Sequence, residues 1–113
     1  MKKLLPFIFA VISISTVATP LTVDIVGNSP ANYHCNDGTK IIATYYALSD
    51  KSLQFVKLNF DKMKVTLPAV ISASGSRYSD GYKNEWWIKG NNATLNRDIN
   101  NKDQRPVECR LVP

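Results

Sequence analysis

From Asn32 onward, apolar and polar residues alternate in short runs. Val56, Leu58 and Phe60 share one side of a run that begins at Ser52. Met63, Val65 and Leu67 then alternate with Lys64, Thr66 and Pro68. A period of two marks half-buried strands. Asp61-Lys62 joins these two runs as a tight connection. Upstream, a β-branched and aromatic run from Lys40 to Tyr46 has apolar residues on both faces, and Asp37-Gly38, a hairpin-type dipeptide, separates it from Tyr33-His34-Cys35. Downstream, Val70-Ile71 leads into a Ser/Gly loop, Asp80-Gly81 makes a turn, and Glu85 to Ile88 read as a short aromatic strand. Gly90-Asn91-Asn92 turns into Ala93-Thr94-Leu95, and Val107, Cys109 and Leu111 alternate with Glu108 and Arg110 in a closing strand. Between them, residues 96–104 are polar and charged, as a long surface loop would be. No segment sustains a helical period. Short strands at near-regular spacing predict an all-β antiparallel sandwich or barrel. In a domain this small, closure into a barrel removes the exposed edges.

The first residues follow a different pattern. Lys2-Lys3 precedes an apolar run over residues 4–17, and Thr16-Val17-Ala18 supplies the small residues read by a signal peptidase. This is the secretory pattern, with cleavage expected after Ala18. The run is short against the ~20 residues that a membrane span needs. No cysteine follows it before Cys35, so the expected product is exported, soluble and periplasmic rather than lipid-anchored. Residues 19–31, with Pro20 and Pro30, read as a lead-in arm, and residues 32–113 as one domain. The chain has two cysteines, Cys35 and Cys109. In an oxidising compartment such a pair reads as a disulfide, here closing nearly the whole domain.

Charge narrows the function little. The formal net charge of +5 includes Lys2 and Lys3, and the remaining excess is mild and spread along the chain. No basic run or aromatic-interleaved stripe marks a nucleic-acid surface. His34 is the single histidine, which excludes a multi-histidine metal site. With no CxxC pair, neither metal nor cofactor is expected.

Two neighbouring glycine-bearing turns carry the candidate chemistry. The first is Ser72-Ala73-Ser74-Gly75-Ser76-Arg77-Tyr78, slim and rich in hydroxyls. The second is Glu85-Trp86-Trp87-Ile88-Lys89-Gly90, with one lysine beside bulky aromatics. A Ser-Lys hydrolase would use Ser72, Ser74 or Ser76 as nucleophile and Lys89 as base. Its lysine would need burial to lower its pKa, whereas Lys89 adjoins a turn glycine and reads as exposed. A glycan-binding module would use Trp86, Trp87, Tyr78 and Tyr82 as a stacking platform. Adjacent strand residues point to opposite sides, so one tryptophan fills the barrel and the other props the lysine turn.

Taken together, these residues resemble the C-type lysozyme inhibitors of Gram-negative bacteria. That pattern places one cysteine at each end of the domain. Between them stand Ser-Gly-x-x-Tyr and, a dozen residues on, an aromatic strand ending in Lys-Gly. Here they are Cys35, Cys109, Ser74-Gly75-Ser76-Arg77-Tyr78 and Trp87-Ile88-Lys89-Gly90. The resemblance implies an eight-stranded antiparallel barrel, closed by a Cys35–Cys109 disulfide, that blocks the active-site cleft of a C-type lysozyme and does no chemistry itself. It also implies that Ser74 and Lys89 reach the enzyme's two catalytic carboxyls, while Gly75, Tyr78 and Gly90 shape the loops and Ser76 and Arg77 join the contact. Ile88 departs from the pattern, standing where the family often carries a small hydroxyl residue. A free edge strand or the 19–31 arm would offer a route to a homodimer.

Overall fold

The computed structural model describes residues 22–113; the expected leader lies outside the described residues. The alternating runs form strands throughout, and the turn dipeptides separate them. Among the described residues the elements are β1 (Ile25–Gly27), β2 (Ala31–Cys35), β3 (Lys40–Leu48), β4 (Gln54–Phe60) and β5 (Met63–Val70), then β6 (Ser76–Ser79), β7 (Glu85–Lys89), β8 (Asn92–Asn96) and β9 (Val107–Leu111). All pairings are antiparallel.

The sheet runs β2-β9-β8-β7-β6-β5-β4-β3 and closes where β3 returns to β2. This is the expected eight-stranded barrel. A ninth strand, β1, is added outside the circuit: β3 pairs with β2 along its first half and with β1 along its second, through Ile25↔Leu48 and Gly27↔Tyr46. The 19–31 segment therefore contributes a strand, and Ala31 already belongs to β2.

Inward positions follow the period of two. Ala43, Leu58 and Val65 lie in one cross-strand row, and Tyr45, Val56 and Leu67 in the next. Trp86 is fully buried at the centre. Tyr33 meets it edge-on at 5.0 Å, and its indole N–H donates to the Tyr45 hydroxyl at 3.0 Å. Burial drives the phenol pKa values of Tyr45 and Tyr78 upward, so both stay neutral. A buried indole with its donor satisfied adds packing area without an unpaired polar group.

Cys35 and Cys109 stand directly opposite each other on β2 and β9 and form the disulfide, with a sequence separation of 74. A loop of that length restricts the unfolded chain by roughly 4–5 kcal/mol in the chain-entropy model. Asp61 and Lys62 both have positive φ, 48° and 61°, the twisted two-residue turn that antiparallel strands favour. Because the strands alternate in direction, the β5–β6 loop and the β7–β8 turn emerge at the same end of the barrel.

Candidate functional site

Residues 71–75 connect β5 to β6, and residues 90–91 connect β7 to β8. Strand pairing sets them side by side, since Ser76 lies opposite Ile88 and Arg77 opposite Trp87. Gly75 makes the approach possible. Its φ is +67°, and a Cβ there would overlap the Ile88 carbonyl oxygen and stand 2.9 Å from Lys89 Cγ. Only glycine meets both conditions.

Trp87 binds the two loops into one tip. It points away from the core on β7, opposite in sense to Trp86. Its indole N–H donates to the Ser74 carbonyl at 2.8 Å, and the Ser72 hydroxyl donates to the same oxygen. The Lys89 ammonium lies over the Trp87 ring, 4.4 Å from its centroid. A cation over an indole face is held by the ring quadrupole, worth about 0.5–1 kcal/mol when exposed and ~2 when desolvated. The ring thus props the lysine turn, as the alternation of Trp86 and Trp87 leads one to expect.

Arg77 braces the first loop. Its Nε donates to Glu85 Oε2 at 2.9 Å, its Nη1 donates to the Ile71 carbonyl at 3.4 Å, and its guanidinium lies 5.8 Å from the Trp87 centroid. Glu85 sits at the far end of β7, so this ion pair spans the β6–β7 ladder.

The structure brings most of the sequence-predicted residues to one place. Ser74, Gly75, Ser76, Lys89 and Gly90 are exposed at the tip, and Gly90 turns the chain with a φ of +61°. Arg77 is half-buried and engaged within the protein. Tyr78 lies beneath the loop in the core, 8% exposed and 5.7 Å from Tyr45. Ile88, half-buried, packs against the core rather than joining the tip. Lys89 is in neither of the two ion pairs found among the described residues, Arg77–Glu85 and Arg97–Asp61. Its charge is therefore available to a partner. The sequence assigns Glu85 and Ile71 no role within the motifs they border, because those roles depend on the β6–β7 register and on the path of the loop. Among the described residues, no three His, Cys, Asp or Glu side chains cluster as metal ligands would.

The family model for membrane-bound lysozyme inhibitors of C-type lysozyme matches residues 33–104, well over half of the chain and both loops. This chain belongs to that family, MliC. Three curated relatives carry the name membrane-bound lysozyme inhibitor of C-type lysozyme. The protein from Pseudomonas aeruginosa is 39% identical over 67 residues, covering 59% of this chain and 51% of the relative. That from Yersinia enterocolitica is 38% identical over 89 residues, 75% of this chain and 65% of the relative. The Cupriavidus necator protein is 36% identical over 83 residues, 72% and 64% respectively. The chain thus spans about half to two thirds of the length of these relatives. Their names place them at a membrane; among the described residues of this chain, no helix is long and apolar enough to cross one.

Proposed function

We propose that this protein inhibits a C-type lysozyme by occupying its active-site cleft with the joined tip of residues 71–75 and 89–90. In this reading the Lys89 ammonium enters the space between the enzyme's two catalytic carboxyls, and the Ser74 hydroxyl contacts one of them. The observation that carries it is the fusion of the two motif loops, with Gly75 against Ile88 and the exposed Lys89 cation presented from the Trp87 ring. Membership of MliC supports the choice of partner.

The chemistry needs only occupancy and charge. Lysozyme works with one protonated carboxyl as general acid and one ionised carboxylate. A cation between them forms charge-assisted hydrogen bonds away from water. It also favours the ionised form of the acid, which must hold its proton to protonate the leaving group. A serine hydroxyl can donate to a carboxylate while accepting elsewhere. The inhibitor itself performs no reaction, and in our reading it works as an exported, soluble periplasmic protein.

Long-range attraction is not part of the design. C-type lysozymes are generally basic and this chain is mildly basic, so close fit at the tip must carry affinity. A turbidity assay of bacterial cell walls tests the function: the purified protein should slow lysis by C-type lysozyme and leave G- and I-type enzymes unaffected. Equal inhibition of all three, or of none, would refute it. Retention on purified cell wall without any effect on lysozyme would favour a glycan-binding module.

A further inference from the structure

Ile71 is 95% exposed, more than any other large hydrophobic residue among those described. A lone exposed aliphatic is ordinary on a protein surface. The backbone that carries this one is tethered. Val70, the preceding residue, ends β5 in register with Arg77, and Arg77 donates to the Ile71 carbonyl while bridged to Glu85. Val70 is itself 37% exposed, and Ala73 is exposed two residues on. The leading edge of the first loop is therefore apolar, and its Gly75 end lies next to Lys89.

We infer that Ile71 is a second contact point of the inhibitory surface, seated against an apolar wall of the lysozyme cleft beside the carboxyls. The inference rests on the inhibitor reading and deepens it. A cleft that binds glycan chains must present apolar surface to sugar faces next to its reactive acids, as concave ligand sites commonly do. A braced aliphatic residue can occupy that surface in place of a sugar. A β-branched side chain has few χ1 states, so little rotamer freedom is lost on burial. Binding energy in interfaces concentrates in such seated anchors. Lys89 then supplies charge matching, and Ile71 the apolar burial that a basic pair of proteins cannot replace with long-range attraction.

The test compares Ile71→Ser, Ile71→Leu and Lys89→Met with the parent protein. Each is titrated against a C-type lysozyme by calorimetry at low and high salt, with the melting temperature as a folding check. Because Ile71 is bathed in solvent, all variants should melt with the parent. Ile71→Ser should weaken binding about tenfold or more, one well-seated anchor's worth, while Ile71→Leu stays close to the parent. The loss should persist at high salt, since apolar burial is not screened. If Ile71→Ser binds as tightly as the parent while Lys89→Met is weakened, the role of Ile71 is overturned and that of Lys89 stands. If the parent protein does not bind the enzyme at all, the inhibitor reading falls and this inference with it.

Discussion

Gly75 lies against the backbone of Ile88 so closely that no side chain fits between them. The contact joins a loop from one hairpin to a turn from the next, and Lys89 is the residue that follows. The position of the charged tip is thus set by backbone packing as well as by side chains.

Gly75→Ala should separate the loops. The added Cβ meets a backbone oxygen, and the positive φ adds strain of about 1–2 kcal/mol. Inhibition should fall at least tenfold, with a lower melting temperature. Gly38→Ala is the matched control: its φ is +90°, but nothing lies within 4 Å of the added atom. That change should lower stability and leave inhibition intact, as enzyme kinetics on both variants will show.

Removing the cation should abolish most of the affinity. Lys89→Ala is expected to cost roughly 2–5 kcal/mol of binding, because it leaves the enzyme's acids facing a cavity without a partner. Ser74→Ala should cost about 1.5–3 kcal/mol, the scale of a hydrogen bond to a charged group. Both residues are exposed, so neither change should move the melting temperature by much. Inhibition constants measured alongside thermal melts separate the two effects.

Trp87 holds the tip from below and gives a graded series. Trp87→Phe removes the donor to the Ser74 carbonyl but keeps a ring under Lys89. Trp87→Leu removes both. Affinity should fall in that order, by about 1 kcal/mol for the hydrogen bond and a similar amount for the ring. In a Lys89→Met background the ring's share of the loss should vanish, since the two residues act through one contact. Purely additive losses in the double-mutant cycle would contradict that coupling.

Much of this architecture was legible in the chain. The β-branched and aromatic run from Lys40 to Tyr46 marks a strand by residue type, and Val56, Leu58 and Phe60 mark one by alternation, because a barrel wall has one dry face and one wet face. The neighbouring Trp86 and Trp87 had to diverge for the same reason. β1 was hidden: it is three residues long and exposed throughout, so it carries no alternation to read. The run that alternates through Val56 and Leu58 extends back to Ser52 in sequence, but Ser52 lies in a turn, where Asp50 accepts from its backbone N–H and hydroxyl. The bond from Trp87 to Ser74 was also beyond reach, because it needs the register of three strands and the path of a loop. The site's residue types were visible early; their mutual support was not.

Acid should destabilise the fold through its turns. Burial pushes the Asp80 carboxyl up, but N–H donors from Lys83, Tyr82 and Asn84 outweigh it and hold the pKa below the usual value. Hydrogen bonds from Thr39 and Ser52 lower Asp37 and Asp50 likewise. Groups depressed in the folded state contribute stability above their unfolded pKa, about 3.9 for aspartate, and lose it as pH falls through the folded value. The melting temperature should therefore hold from neutral pH to about 5 and decline below about 4. Asp80→Ala should lower it at neutral pH and flatten the acid decline, as melts across pH will reveal.

A crystal structure of the protein bound to a C-type lysozyme would probe the central proposal most directly. Lys89 Nζ should sit within about 3 Å of a catalytic carboxyl oxygen, with residues 71–75 filling the cleft alongside it. A complex that leaves those carboxyls open to solvent, with Lys89 remote from them, would contradict the inhibitory role assigned to the tip.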